Sequence, residues 1–175
     1  EFYIGGNFGT NPLAMQGVFA ALDLHTNTLV WQQQWADRCL SGSIATAGGL
    51  VFIGAAMDER FHAFDAESGR QLWAMRPEEH PAAKVTATPV YHNGRLYVGV
   101  SSIEEALAVS TGFVCCTFRG SETALDAATG KVIWKRYMID QAAKAQKKTK
   151  RGAEVMGPSG AGIWTAPTLD PEHDT

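Results

Sequence analysis

Two cysteines stand side by side, Cys115 and Cys116, and the chain carries only one other, Cys39. Adjacency makes a poor structural cross-link. Disulfides favour Cα separations of about 4.4–6.8 Å, whereas neighbours across a trans peptide lie about 3.8 Å apart. A bond between them would form a strained ring that ties almost nothing together. On the residues alone, two buried thiols packed as small hydrophobes and a pair of metal ligands both stand as alternatives. Cys39 has no evident partner and reads as a buried thiol.

Other side chains with chemical capacity lie near the pair in sequence. Glu104 and Glu105 close the run S-S-I-E-E. A hard cation takes several oxygens at about 2.4 Å, and the competing reading is two solvated glutamates. Arg119 offers a fixed fork of donors suited to a carbonyl or carboxylate. Trp164 lies in a Gly-rich stretch, where an indole can offer a flat stacking surface or pack in a core. Thr86 and Ser102 carry hydroxyls that are unremarkable in a β protein. Lys144, Lys147, Lys148, Lys150 and Arg151 fall within Ile139 to Gly152. That stretch reads as a short helix or an exposed basic loop, a solvated connection in either case.

The elements that must position these residues are repeated. AALDLHTNTLVW (Ala20 to Trp31), HAFDAESGRQLW (His62 to Trp73) and TALDAATGKVIW (Thr123 to Trp134) share one pattern. Each is an apolar strand, an Asp that caps a turn, a Gly or Asn that tolerates the left-handed conformation, and a second strand ending in Trp. This is a β-hairpin written three times. Further strand pairs precede two of them, at Ala45 to Ala55 and Ala87 to Ser101. Trp31 and Trp73 are 42 residues apart, the length of one propeller blade, while Trp73 and Trp134 are 61 apart. The extra residues, about 19, contain the cysteine pair. Additional length on a regular blade maps to a loop on one face, often the binding face. The predicted fold is therefore all-β, a partial β-propeller of four-stranded antiparallel blades, with residues 1–175 part of a single propeller domain of about three to four blades.

With 45% hydrophobic and 19% charged residues and a net charge of −3, the composition is that of an ordinary globular protein. The mildly acidic balance gives no support to nucleic-acid or membrane-surface binding. No apolar run approaches the roughly 18 residues needed to span a bilayer. The chain opens on E-F-Y-I-G-G and stops at A-P-T-L-D-P-E-H-D-T, so it is expected to be a piece of a longer protein.

The repeat A-x-D-x-x-[TS]-G-x-x-x-W resembles that of the quinoprotein alcohol dehydrogenases, eight-bladed propellers that bind pyrroloquinoline quinone (PQQ) and Ca²⁺. The combination S-S-x-E-E, C-C-T-F-R-G and G-P-S-G-A-x-[IV]-W resembles their polyvinyl-alcohol-dehydrogenase-like branch over about ninety residues. The first seventy-odd residues resemble the family in general, in the wording of late blades, whereas the cysteine half resembles early ones. A family variant or a recombined piece would explain that order.

The resemblance implies a set of roles. Cys115 and Cys116 would be bonded to each other as the roof over PQQ, a rigid oxidised surface, and Trp164 would be its floor. Glu105 would ligate Ca²⁺, with Glu104 as the alternative. Arg119 would sit near the quinone oxygens, and Thr86 and Ser102 would hydrogen-bond PQQ carboxylates. The family's general-base Asp and a second Ca²⁺ ligand belong to a segment beyond Trp164 that this sequence does not contain, and nothing places Asp170 or Asp174 at the quinone. No C-x-x-C-H haem motif is present. The implied function is oxidation of alcohols, polyvinyl alcohol or secondary alcohols among them, with electrons passed to a cytochrome c in the periplasm. This chain alone is expected to be inactive. The alternative is a non-enzymatic propeller acting as a protein-binding scaffold, which would have no use for Cys115–Cys116, Glu105 and Trp164 on one face.

Overall fold

Each repeat folds into an antiparallel hairpin whose turn is closed by its own aspartate. The computed structural model describes residues 16–36, 39–55, 58–110 and 112–173. The strand reading of the opening E-F-Y-I-G-G lies outside the described residues. In chain order, β1 (Gly17–Asp23) pairs with β2 (Thr28–Trp35). Then β3 (Ser43–Ala45), β4 (Leu50–Ala55), β5 (Arg60–Asp65) and β6 (Gln71–Met75) form a four-stranded sheet in up-and-down order. A second full sheet contains β7 (Ala83–Lys84), β8 (Val90–His92), β9 (Arg95–Ser102), β10 (Ser121–Asp126) and β11 (Val132–Tyr137). The one helix among the described residues, α1 (Glu104–Leu107), lies in the insertion between β9 and β10. A final hairpin joins β12 (Lys144–Lys148) to β13 (Glu154–Gly157).

The turns carry out the sequence logic. Asp65 Oδ1 accepts the Ser68 amide and hydroxyl at 2.8 and 2.6 Å, and Asp126 Oδ1 does the same for Thr129 at the same distances. Asp23 Oδ1 accepts the His25 amide at 2.8 Å. These bonds hold the three carboxyls below the ordinary carboxylate range. Asn27, Gly69 and Gly130 occupy the equivalent left-handed position, with φ of 54°, 69° and 70°. The hairpin ladder shifts register at the same place in every repeat, after Ala21, Ala63 and Ala124.

The tryptophans tie one unit to the next. Trp31 Nε1 donates to Ala66 O at 2.9 Å, and Trp73 Nε1 donates to Ala127 O at 3.1 Å, each reaching the turn of the following sheet. A Cβ on Gly69 would lie 2.5 Å from the Trp31 ring and one on Gly130 2.7 Å from the Trp73 ring, so each indole lies flat on a glycine. Phe52, Phe61 and Ala63 of one sheet pack with Leu96, Val98 and Leu125 of the next as the main core. Burying side chains of this kind contributes about 1.5–3 kcal/mol each. Trp134, in the last of the three repeats, is 40% exposed beside Tyr97.

The stretch Ile139 to Gly152 forms no helix, and its exposed irregular ends flank a strand. Residues 144–148 form an exposed strand held by its partner β13, and Gly152 (φ 88°) helps close the turn. Its side chains give no apolar alternation because every residue of β12 faces solvent. What holds the hairpin is β13, which docks on the cysteine loop.

Candidate functional site

The insertion leaves β9 at Ser102, turns through α1, and returns to β10 through Cys115, Cys116 and Phe118. Cys115 and Cys116 are joined by a disulfide, and Cys39 is the free thiol, partly buried and pushed up by that burial. β13 lies along this loop. Cys115 bridges Val155 in parallel, and Met156 N donates to Cys115 O at 2.6 Å. Between the loop and the hairpin is a cleft of about 540 Å³. Its walls include both cysteines, Phe113 and Met156, with Lys150 and Arg151 on the hairpin side.

The two glutamates of S-S-I-E-E have opposite fates. Glu105 is exposed. Glu104 is 4% exposed, and its carboxylate receives the Thr117 amide at 2.9 Å on Oε1 and the Phe118 amide at 2.8 Å on Oε2. The Thr117 hydroxyl adds a bond to Oε1 at 3.3 Å. Strand alternation does not separate the two residues, since the chain has left the strand before reaching them.

The hydroxyls of Thr86 and Ser102 lie in separate hydrogen-bond groups. Thr86 Oγ1 bonds Ser101 Oγ at 3.0 Å, and Ser101 Oγ bonds Lys84 O at 3.0 Å. Ser102 Oγ instead accepts the Glu104 amide at 3.4 Å. Thr86 is thus brought together with Ser101. Arg119 is outside the cleft lining, and its Nη1 donates to Ile139 O and Asp140 O at 3.2 and 3.0 Å. Its guanidinium stacks 4.0 Å from the Tyr137 ring centre.

Trp164 also stands outside the cleft lining and is 50% exposed. The Gly-rich stretch before it lies across the sheet end. Gly160 N donates to Phe118 O and Gly120 N to Gly160 O, both at 2.7 Å, while Ile163 N donates to Val100 O at 3.1 Å. A Cβ on Gly162 would be 3.2 Å from both Ser101 Cα and Trp164 Nε1. Trp164 therefore neighbours the Thr86–Ser101 pair. Residues 156–163 connect that neighbourhood to the cysteine loop. Among the described residues no three His, Cys, Asp or Glu side chains converge as a cation site.

Glu122, on β10, was not singled out by sequence. Burial alone pushes its carboxyl up to about 7, and its Oε1 has no hydrogen-bond partner among the described residues. An isolated E in an otherwise regular strand repeat was the available signal.

Antiparallel sheets linked in series by indole-to-carbonyl bonds define the class as part of a β-propeller. Comparison with known proteins agrees. The PQQ family model described as glucose/ethanol/alcohol dehydrogenase, beta-propeller domain, matches residues 15–98. The chain is 43% identical over 167 residues to a polyvinylalcohol dehydrogenase of Pseudomonas sp, covering 91% of this chain and 26% of that protein. It is 46% identical over 108 residues to the polyvinylalcohol dehydrogenase of Sphingopyxis sp. (strain 113P3), covering 62% of this chain and 16% of the relative. The solved quinohemoprotein alcohol dehydrogenase ADHIIG of Pseudomonas putida HK5 superposes with a TM-score of 0.53 at 27% identity, over 69% of this chain and 18% of that one. The chain belongs to the PQQ-dependent quinoprotein alcohol dehydrogenase family. It spans about a quarter or less of the length of the curated relatives it matches. The first match runs through both halves of the chain, which favours a family variant over a recombined piece.

Proposed function

We propose that this chain supplies part of the PQQ site of an alcohol dehydrogenase acting on secondary or polymeric alcohols, polyvinyl alcohol foremost. The observation that carries the reading is the bonded Cys115–Cys116 pair forming a wall of the 540 Å³ cleft. A cleft of this size, mainly apolar with a few polar groups, suits a compact organic ligand. PQQ is a planar aromatic tricarboxylate. The disulfide offers an apolar surface that excludes water, and Lys150 and Arg151 offer counter-charges. Trp164, half exposed and outside the cleft lining, has its stacking role from the resemblance alone. When bound, the quinone supplies a two-electron acceptor for the alcohol's hydride.

Arg119 contributes at the quinone only through donors other than Nη1. Calcium does not fit the described residues alone, since Glu105 is exposed without a converging partner and Glu104 is saturated. A cytochrome c acceptor and a periplasmic location complete the proposal, the latter because a vicinal disulfide persists in an oxidising compartment.

The experiment is a PQQ titration followed by tryptophan quenching and quinone absorption, with the disulfide oxidised and then reduced. Saturable binding that weakens about tenfold in Cys115→Ser/Cys116→Ser supports the reading. Equal binding by both forms would remove the disulfide from the site.

A further inference from the structure

We infer that Glu104 is a positioning residue that fixes the disulfide at the cleft, together with His80 and Thr117. The main chain leaving Cys116 is held at two consecutive amides, Thr117 and Phe118, by one buried carboxylate at 2.8–3.1 Å. Bonds to an ionised acceptor are roughly twice as strong as neutral ones. Phe118 is itself anchored, 1% exposed and packed with Ala83 and Val100. The loop is therefore clamped immediately after the sulfurs, on elements of a rigid sheet.

His80 extends the clamp from outside the insertion. Ala82 N donates to His80 Nδ1 at 3.2 Å, so Nδ1 is an acceptor and Nε2 carries the hydrogen. His80 Nε2 then donates to Thr117 Oγ1 at 2.9 Å, and Thr117 Oγ1 donates to Glu104 Oε1 at 3.3 Å. Every donor in this chain has a single direction that satisfies the next acceptor. The His80 ring also meets Phe118 edge-on at 5.5 Å. No apolar side chain reproduces this arrangement, and a glutamine at 104 would turn an amide N–H toward one of the two main-chain donors. Glu104 is consumed by the loop and is not the cation ligand of S-S-I-E-E.

That the clamp serves cofactor binding rests on the disulfide-wall reading above; that it holds the disulfide does not. The test measures how fast dithiothreitol opens Cys115–Cys116 in the native chain. The reductant supplies two electrons and two protons, the S–S bond breaks to two thiols, and dithiothreitol closes to its cyclic disulfide. Glu104→Gln should react about tenfold faster, the scale of one charge-assisted hydrogen bond. Thr117→Val should accelerate it severalfold and Thr117→Ser should restore the native rate, which keeps the test open if the Glu104 variant fails to fold. Trp73→Phe, which weakens a different interface, should leave the rate unchanged. Native rates in both Glu104→Gln and Thr117→Val overturn the clamp, as does equal acceleration by Trp73→Phe. PQQ titration of the native chain runs in parallel. Faster reduction in the variants with no PQQ binding by the native chain would sink the site reading and leave the clamp standing.

Discussion

The Trp73 indole lies on Gly130 and donates to the carbonyl of Ala127, three residues before it, in the following sheet. One residue thereby fixes both the distance and the tilt between two blades. Trp31 repeats the arrangement on Gly69 and Ala66. Trp73→Phe keeps the apolar contact and drops the hydrogen bond, so it should cost about 1 kcal/mol. Gly130→Ala should cost more, about 1–3 kcal/mol, because the methyl enters the indole and the left-handed φ of 70° disfavours any side chain. Urea unfolding followed by tryptophan fluorescence measures both. A neutral Gly130→Ala would show that the blades are not held through this turn.

A second close approach lies beside the cysteine loop. A Cβ on Gly120 would fall 1.7 Å from Ala161 O, although the backbone there is not left-handed. Gly120→Ala should push residues 157–163 off the sheet and destabilise by about 1–3 kcal/mol. Amide exchange at Gly160 and Ile163, whose bonds to Phe118 and Val100 would loosen, is the direct readout. Gly48→Ala, where the nearest atom is 3.8 Å away, should be close to neutral.

Glu122 gives a pH dependence opposite in sign to that of the turn aspartates. Its folded value is raised from 4.5 to about 7 by burial. Below 4.5 both states hold the proton and the residue contributes no penalty. Between 4.5 and about 7 the unfolded chain releases its proton first, so stability falls as pH rises, then levels off. With its partial exposure discounted, the loss is about 1–2 kcal/mol. Glu122→Gln should flatten that window, and Glu122→Leu should be more stable than the native chain at pH 8. The aspartates of the turns, lowered in the fold, act only in more acid solution. Urea midpoints at pH 5 and pH 8 separate the two effects. A native midpoint that rises over this window would refute the assignment.

The repeat hairpins were legible in the sequence because their determinants are local. An aspartate, a turn residue and a tryptophan within twelve positions specify strand, cap and return. The site was legible only where it follows the same logic. Cys115 and Cys116 announce themselves by adjacency, but nothing in the sequence periodicity marks Glu104 as buried against the cysteine loop and Glu105 as exposed. The bond between Thr86 and Ser101 joins residues 15 positions apart on neighbouring segments. His80 acts on Thr117 across 37 positions, and β12 is a strand through its partner, not through its own side chains. These are long-range contacts, and a polar residue's type does not reveal them.

Catalysis makes a stricter demand than binding. Alcohol oxidation by a quinone needs a clamped acceptor, polarisation of its carbonyl and a base for the hydroxyl proton. The described residues offer candidates for the clamp in Cys115, Cys116 and Trp164. They offer no converging carboxylates for a cation, which would want six to eight oxygens if it were Ca²⁺. Asp170 is a poor base, because its bond with His173 at 2.7 Å and its neighbouring amides hold its carboxyl below the ordinary range. Asp174 lies outside the described residues. This 175-residue chain supplied with PQQ and Ca²⁺ should therefore bind the quinone without turning over primary, secondary or polymeric alcohols. Dye-linked assays at several pH values check it. PQQ-dependent turnover that survives Asp170→Asn would place the base and the polarising group on residues assigned no such role here, and turnover lost in Asp170→Asn would make that aspartate the base.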